Sequence, residues 1–107
     1  MIEINGRKIG PGYPAYIIAE MSANHAGSIE RAKEIIRAAK EAGADCVKIQ
    51  TYTPDTLTID CNNEYFAINE GTWAGENLYD LYGKAYTPLE WQAELYEEAK
   101  RIGIDFF

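Results

Sequence analysis

Long hydrophobic runs are missing from this chain of 107 residues. No stretch approaches the roughly 18 consecutive apolar residues of a membrane-spanning helix, so no transmembrane segment is expected. The N-terminus, Met1-Ile2-Glu3-Ile4-Asn5-Gly6, lacks the basic segment and apolar stretch of a signal peptide. Cysteine is nearly absent: Cys46 and Cys61 make neither a disulfide framework nor a metal knuckle. Cys46 sits in a strand-like run and reads as a small buried hydrophobe. A reducing, cytoplasmic setting is the simplest expectation. Positive charge is scarce, with 10 Lys and Arg against 17 Asp and Glu and a net charge of −7. That argues against nonspecific binding to nucleic acid or to anionic membrane, since both need basic patches. An anionic small substrate stays open, because local lysines decide it and the charge sum is blind to them.

What is present is the composition of a globular chain, 47% hydrophobic, with room for one modest core. Ile2-Glu3-Ile4, Asn5-Gly6 and Arg7-Lys8-Ile9 predict a β-hairpin, since Asn-Gly suits a type I′ turn. Gly10-Pro11-Gly12 and Pro14 break the chain before a strand from about Tyr16 to Met21. The near-continuous apolar content of that run fits a strand covered on both faces. Ser28 is the expected N-cap of a helix with Glu30 in its first turn. Ile29, Ala32, Ile35, Ile36, Ala39 and Ala42 form its apolar stripe, and Gly43 stops it. A strand from Cys46 to Gln50 follows. Thr87-Pro88-Leu89-Glu90 predicts a capping box with proline at the first helical position. Trp91, Leu95, Ala99 and Ile102 form that helix's stripe, Gly103 ends it, and Ile104-Asp105-Phe106-Phe107 starts a third strand. The run Ala39–Asp45 is echoed at Ala99–Asp105, each copy joining a helix end to a strand start.

Strand–helix–strand–helix–strand with short turns predicts parallel strands joined by right-handed crossovers. Two closures satisfy that order, an open doubly wound sheet or a (β/α) barrel, and a barrel needs about 250 residues. Ending inside an apparent strand suggests an N-terminal piece of something larger. Between the second strand and the second helix lies a long segment, Thr51 to Tyr86, rich in Tyr, Phe and Trp. Most βα loops need only a few residues. Such aromatics suit sugar or ring recognition, and packing within the loop accounts for them equally well.

Chemistry gathers at the strand ends. With a side-chain period of two, Glu20 projects opposite Ala19 and Met21, and Lys48 and Gln50 project opposite Val47 and Ile49. Parallel α/β folds place their chemistry at the C-terminal ends of their strands. A carboxylate and an ammonium there can transfer a proton and hold an anion. A plain ion pair with no part in catalysis fits the same residues. Asn24, His25 and Gly27 occupy the loop before the first helix. His25, the only histidine, suits substrate binding, proton transfer or a loop hydrogen bond. It has no partner ligands at metal spacing.

Two stretches resemble the sialic acid synthase family: Ile17–Ser28, containing Glu20-Met21-Ser22-Ala23-Asn24-His25, and Gly43–Asp55, containing Val47-Lys48-Ile49-Gln50. Gly71-Thr72-Trp73, Leu78-Tyr79-Asp80-Leu81-Tyr82 and Ala85–Trp91 are similar to its pseudaminic acid synthase branch. The resemblance implies the N-terminal portion of a (β/α)8 TIM barrel, a hairpin plus about two and a half βα units. Residues 1–107 would then be a partial synthase barrel domain ending within strand 3, without the family's C-terminal antifreeze-like domain. It implies condensation of phosphoenolpyruvate with an open-chain N-acetylated amino sugar to a nine-carbon nonulosonic acid, by a parent enzyme that pairs as a homodimer. It also implies a divalent metal ion, manganese or magnesium, whose ligands lie outside this chain. By the same resemblance Glu20 is the catalytic carboxylate, Lys48 contacts phosphoenolpyruvate, and Gln50 contacts sugar. Asn24 and His25 are substrate-binding by their place in the matching loop. Trp73 falls near the place where N-acetylneuraminate synthases carry a substrate-binding asparagine. An N-acetylneuraminate synthase portion and a non-catalytic α/β fragment remain the alternatives, and the isolated chain is expected to be inactive.

Overall fold

A computed structural model describes all residues from Met1 to Phe107. The chain is mixed α/β. Strands β1 (Ile2–Ile4) and β2 (Arg7–Ile9) pair antiparallel with Ile2 opposite Ile9. Asn5 and Gly6 take φ of 48° and 81° between them, the two positive values a type I′ turn demands. Strands β3 (Ile18–Glu20), β4 (Cys46–Lys48) and β5 (Asp105–Phe106) form a parallel sheet in that order. Helix α1 (Ile29–Glu41) joins β3 to β4. Between β4 and β5 come α2 (Pro54–Leu57), α3 (Leu78–Ala85), a 3₁₀ turn (Leu89–Trp91) and α4 (Gln92–Ile102). No helix is long and apolar enough to cross a membrane.

The core lies on one face of the parallel sheet. Met21, Val47, Ile49 and Ile104 meet Ala32, Ile36 and Ala39 of α1 and Leu95 and Ala99 of α4. The opposite face is largely uncovered: Ile18, which lies on it, is 43% exposed. The first strand is therefore covered on one side only, against the expectation of two. Strands β3 and β4 are also shorter than their apolar runs. The Ile17 N–H donates to the Asp45 carboxylate at 2.7 Å, and the Gln50 carbonyl accepts from Thr87 N–H at 3.0 Å. Backbone groups that serve loops and caps are lost to the ladder.

Helix α1 follows its sequence signals. Ser28 accepts from Arg31 N–H at 3.2 Å as N-cap, Ala32, Ile36 and Ala39 are buried, and Gly43 at φ 94° turns the chain out of the helix. The second long helix starts differently from its sequence signals. Pro88 has ψ 138° and stands before a 3₁₀ turn, and α4 proper begins at Gln92. Thr87 does not cap it. Its hydroxyl is fully buried against His25, so a tertiary contact outcompetes the local box. Gly103, at φ 80°, ends α4 as expected.

Salt links tie the two helices across the core: Lys33 to Glu94 at 2.6 Å, and Arg37 to Glu98 at 2.9 Å. Glu98 also pairs with Arg101. Hydrogen bonds from Arg101 and then Arg37 hold the Glu98 carboxyl down at about 2. At the N-terminal ends of the strands the hairpin is tied to the sheet. Asn5 Nδ2 and Tyr16 Oη each donate to Asp105 at 2.6 Å, and Arg7 pairs with Asp45.

Ile36 and Leu95 are both fully buried between the helices and the sheet. Ile36→Ala is expected to lower stability by about 2–5 kcal/mol, because it removes apolar contact and leaves a cavity. Urea unfolding with an unchanged slope and a lower midpoint checks this.

Candidate functional site

Glu20 and Lys48 face one another in register as the last residues of adjacent parallel strands. Ala19 and Met21, like Val47 and Ile49, pack on the helical side. Alternation therefore puts both charged side chains on the uncovered face, at the C-terminal edge of the sheet. Lys48 Nζ lies 3.3 Å from Glu20 Oε1, with the side chains 39% and 58% exposed. An ion pair so hydrated adds little to stability, of the order of 0–1 kcal/mol. The strand end leaves both groups open to a ligand. An ammonium there can neutralise a phosphate or carboxylate, and the neighbouring carboxylate can accept or return a proton.

Gln50 lies two residues beyond Lys48 and is exposed, its carbonyl fixed by Thr87 N–H. The loop after β3 leaves the same edge. Met21 N–H donates to the Lys48 carbonyl at 2.9 Å, and Asn24 N–H to the Met21 carbonyl at 3.0 Å. Ser22, Ala26 and Gly27 all take positive φ, 49°, 51° and 76°. The first two are residues that rarely adopt it. Asn24 is exposed at this edge, whereas His25 between the strained positions is fully buried.

The His25 ring is engaged on every side. Nδ1 accepts from Gly27 N–H at 3.0 Å, and Nε2 lies 3.2 Å from Thr87 Oγ1. An Nδ1 that accepts must be unprotonated, so the neutral ring carries its hydrogen on Nε2 and donates it to Thr87. Trp91 packs edge to face on it, with centroids 5.2 Å apart. Burial pushes the imidazole below its usual range, which favours that neutral form. The structure thus joins Glu20 with Lys48, sets Gln50 and Asn24 on the same edge, and turns His25 inward.

The Thr87–Trp91 side of this arrangement was hidden from the sequence, since Thr87-Pro88 reads locally as a helix cap. In the long segment after β4, Tyr52 packs edge to face on Tyr82 at 5.5 Å, and Gln92 donates to Thr51 at 2.7 Å. No three His, Cys, Asp or Glu side chains gather as metal ligands.

Residues 35–107 match the NeuB family. The chain is 55% identical over 89 residues to pseudaminic acid synthase of Campylobacter jejuni, covering 83% of this chain and 26% of that protein. It is 50% identical over 94 residues to pseudaminic acid synthase of Helicobacter pylori, 88% of this chain and 28% of that protein. It is 52% identical over 105 residues to N,N'-diacetyllegionaminic acid synthase of Legionella pneumophila, 97% of this chain and 30% of that protein. The chain spans about a quarter of the length of the first two.

Because folding lowers the His25 pKa, the unfolded chain binds the extra proton first. Stability from this group is therefore full above the unfolded value, about 6.5, and falls as pH drops below it. Urea midpoints between pH 8 and 5 are expected to fall, and more steeply for this chain than for His25→Gln. Glu98 contributes its own loss only as pH falls from about 4.5 towards 2, so the two windows separate.

Proposed function

The chain belongs to the NeuB family, and on that premise we propose that it forms part of the active site of a nonulosonic acid synthase. The reaction proposed joins phosphoenolpyruvate to an open-chain N-acetylated amino sugar, with pseudaminic acid as the favoured product. The carrying observation is the Glu20–Lys48 pair, 3.3 Å apart in register at the C-terminal edge of two parallel strands. In this reading the chain is the first part of a (β/α)8 barrel whose remaining strands cover the face bearing that pair. The parent enzyme works in the cytoplasm as a homodimer.

Lys48 holds the anionic groups of phosphoenolpyruvate. Its ammonium meets them at the strand edge, where Gln50 and Asn24 offer amides to sugar hydroxyls. The enol carbon attacks the sugar aldehyde and forms the new carbon–carbon bond. Water adds to the resulting oxocarbenium carbon, and phosphate leaves with its bridging oxygen as that carbon–oxygen bond breaks. Glu20 sits where a proton must move between water or a sugar hydroxyl and the protein.

A second product stays in view: identity to the N,N'-diacetyllegionaminic acid synthase, 52%, is close to that with the pseudaminic acid synthases. The reaction class is the same and only the sugar changes.

In a full-length protein carrying these residues, Lys48→Ala is expected to raise KM for phosphoenolpyruvate tenfold or more, the loss of roughly one charge-assisted contact. An unchanged KM refutes the anion role. Glu20→Gln is expected to lower kcat by about 10²–10⁴, read by phosphate release against a panel of acceptor sugars. The 107 residues alone are expected to release none.

A further inference from the structure

We propose that His25 is a positioning residue that, through Thr87, latches the strained loop after β3 to the segment entering α4 and so fixes Glu20 and Asn24 at the sheet edge. The chemistry it would serve rests on the synthase reading above; the latch itself rests on the geometry.

Four observations converge. The loop from Ser22 to Gly27 holds two non-glycine residues at positive φ, on either side of His25. Such a backbone persists only where its surroundings over-determine it. His25 is the part of the loop that reaches the interior. It is fully buried, and both ring nitrogens are used, Nδ1 inside the loop on Gly27 and Nε2 outside it on Thr87. Thr87 is also fully buried, and its own N–H donates to the Gln50 carbonyl. The loop after β3 and the strand end of β4 are thus tied to one residue. Finally, Met21 N–H holds the start of the loop to the Lys48 carbonyl. Glu20 is therefore bracketed by the β4 ladder on one side and by a loop pinned at His25 on the other.

The latch depends on direction. Nδ1 accepts and Nε2–H donates, so Thr87 must present an oxygen. Valine has the shape of threonine without that acceptor. Serine keeps the acceptor and loses a methyl. Glutamine at position 25 can place an amide donor near Thr87, but it cannot also accept from Gly27 in the ring's geometry.

In the full-length protein, Thr87→Val is expected to speed amide exchange at Ala26 and Gly27 by tenfold or more. It is expected to lower kcat by about 10–100-fold, the scale of small misplacements at a reacting centre. KM for phosphoenolpyruvate should stay within about threefold, because Lys48 is untouched. Thr87→Ser should restore both readouts. His25→Gln should loosen Gly27 while keeping part of kcat. Exchange in Thr87→Val equal to that of the unsubstituted protein overturns the latch, whatever kcat does. So does a loss that serine fails to rescue. If the unsubstituted protein releases no phosphate while Thr87→Val still loosens the loop, the latch stands and the synthase reading falls.

Discussion

The register between β3 and β4 decides what every other residue near the site can do. Glu20 stands opposite Lys48, Ala19 opposite Val47, and Ile18 opposite Cys46. A slip of one residue would exchange the faces of a strand. Glu20 would then enter the layer occupied by Ile36 and Leu95, and Ala19 would face outward. Burying an unpaired carboxylate among those side chains is far costlier than exposing an alanine. The apolar contacts of α1 and α4 therefore hold the charged pair in place, although neither helix touches it through a charge.

The two ends of the sheet use polar groups for different purposes. At the N-terminal end, Asp45 and Asp105 bind the hairpin and the chain leading into β3, through Arg7, Asn5, Tyr16 and the Ile17 N–H. Burial, with the bond to Asp105, pushes the Tyr16 phenol well above its usual range, so it remains a donor. Those carboxylates have their partners inside the fold. At the C-terminal end Glu20 and Lys48 have only each other, at a long hydrogen-bond distance, and water. Groups committed to structure are saturated by it; groups left at 3.3 Å and hydrated are free to exchange partners.

Much of this was legible in the sequence, and the failures have local causes. The hairpin, α1 with its Ser28 cap and Gly43 stop, the parallel order and the facing of Glu20 with Lys48 follow from turn chemistry and side-chain period. The α4 start does not. Thr87-Pro88-Leu89-Glu90 has every local sign of a capping box, yet the Thr87 hydroxyl has a buried imidazole 62 positions earlier as its partner. Local rules carry no information about a contact at that separation. The inward turn of His25 was missed for the same reason: a lone histidine in a polar loop gives no sign of which side it faces. The eight-residue α3 gains its start from Asn77, whose side chain accepts from Asp80 N–H at 2.9 Å.

The bare face of the sheet sets the electrostatics of the pair. From Tyr16, Ile18 and Cys46 on that side a cavity of about 700 Å³, largely apolar in its lining, runs past β5 to Tyr96 and Lys100 of α4. Glu20 and Lys48 share this face but stand in water at its edge. In water, two unit charges about 4 Å apart attract by only ~1 kcal/mol, and several-fold more at the lower effective dielectric of a protein surface. Covering the apolar part with further polypeptide would leave the register unchanged while stripping solvent from the pair. Lys48 would then favour any anion brought beside it. The same two side chains thus read as an unremarkable surface ion pair or as reactive groups according to what lies over Ile18, and the strand pairing that places them is already complete in these residues.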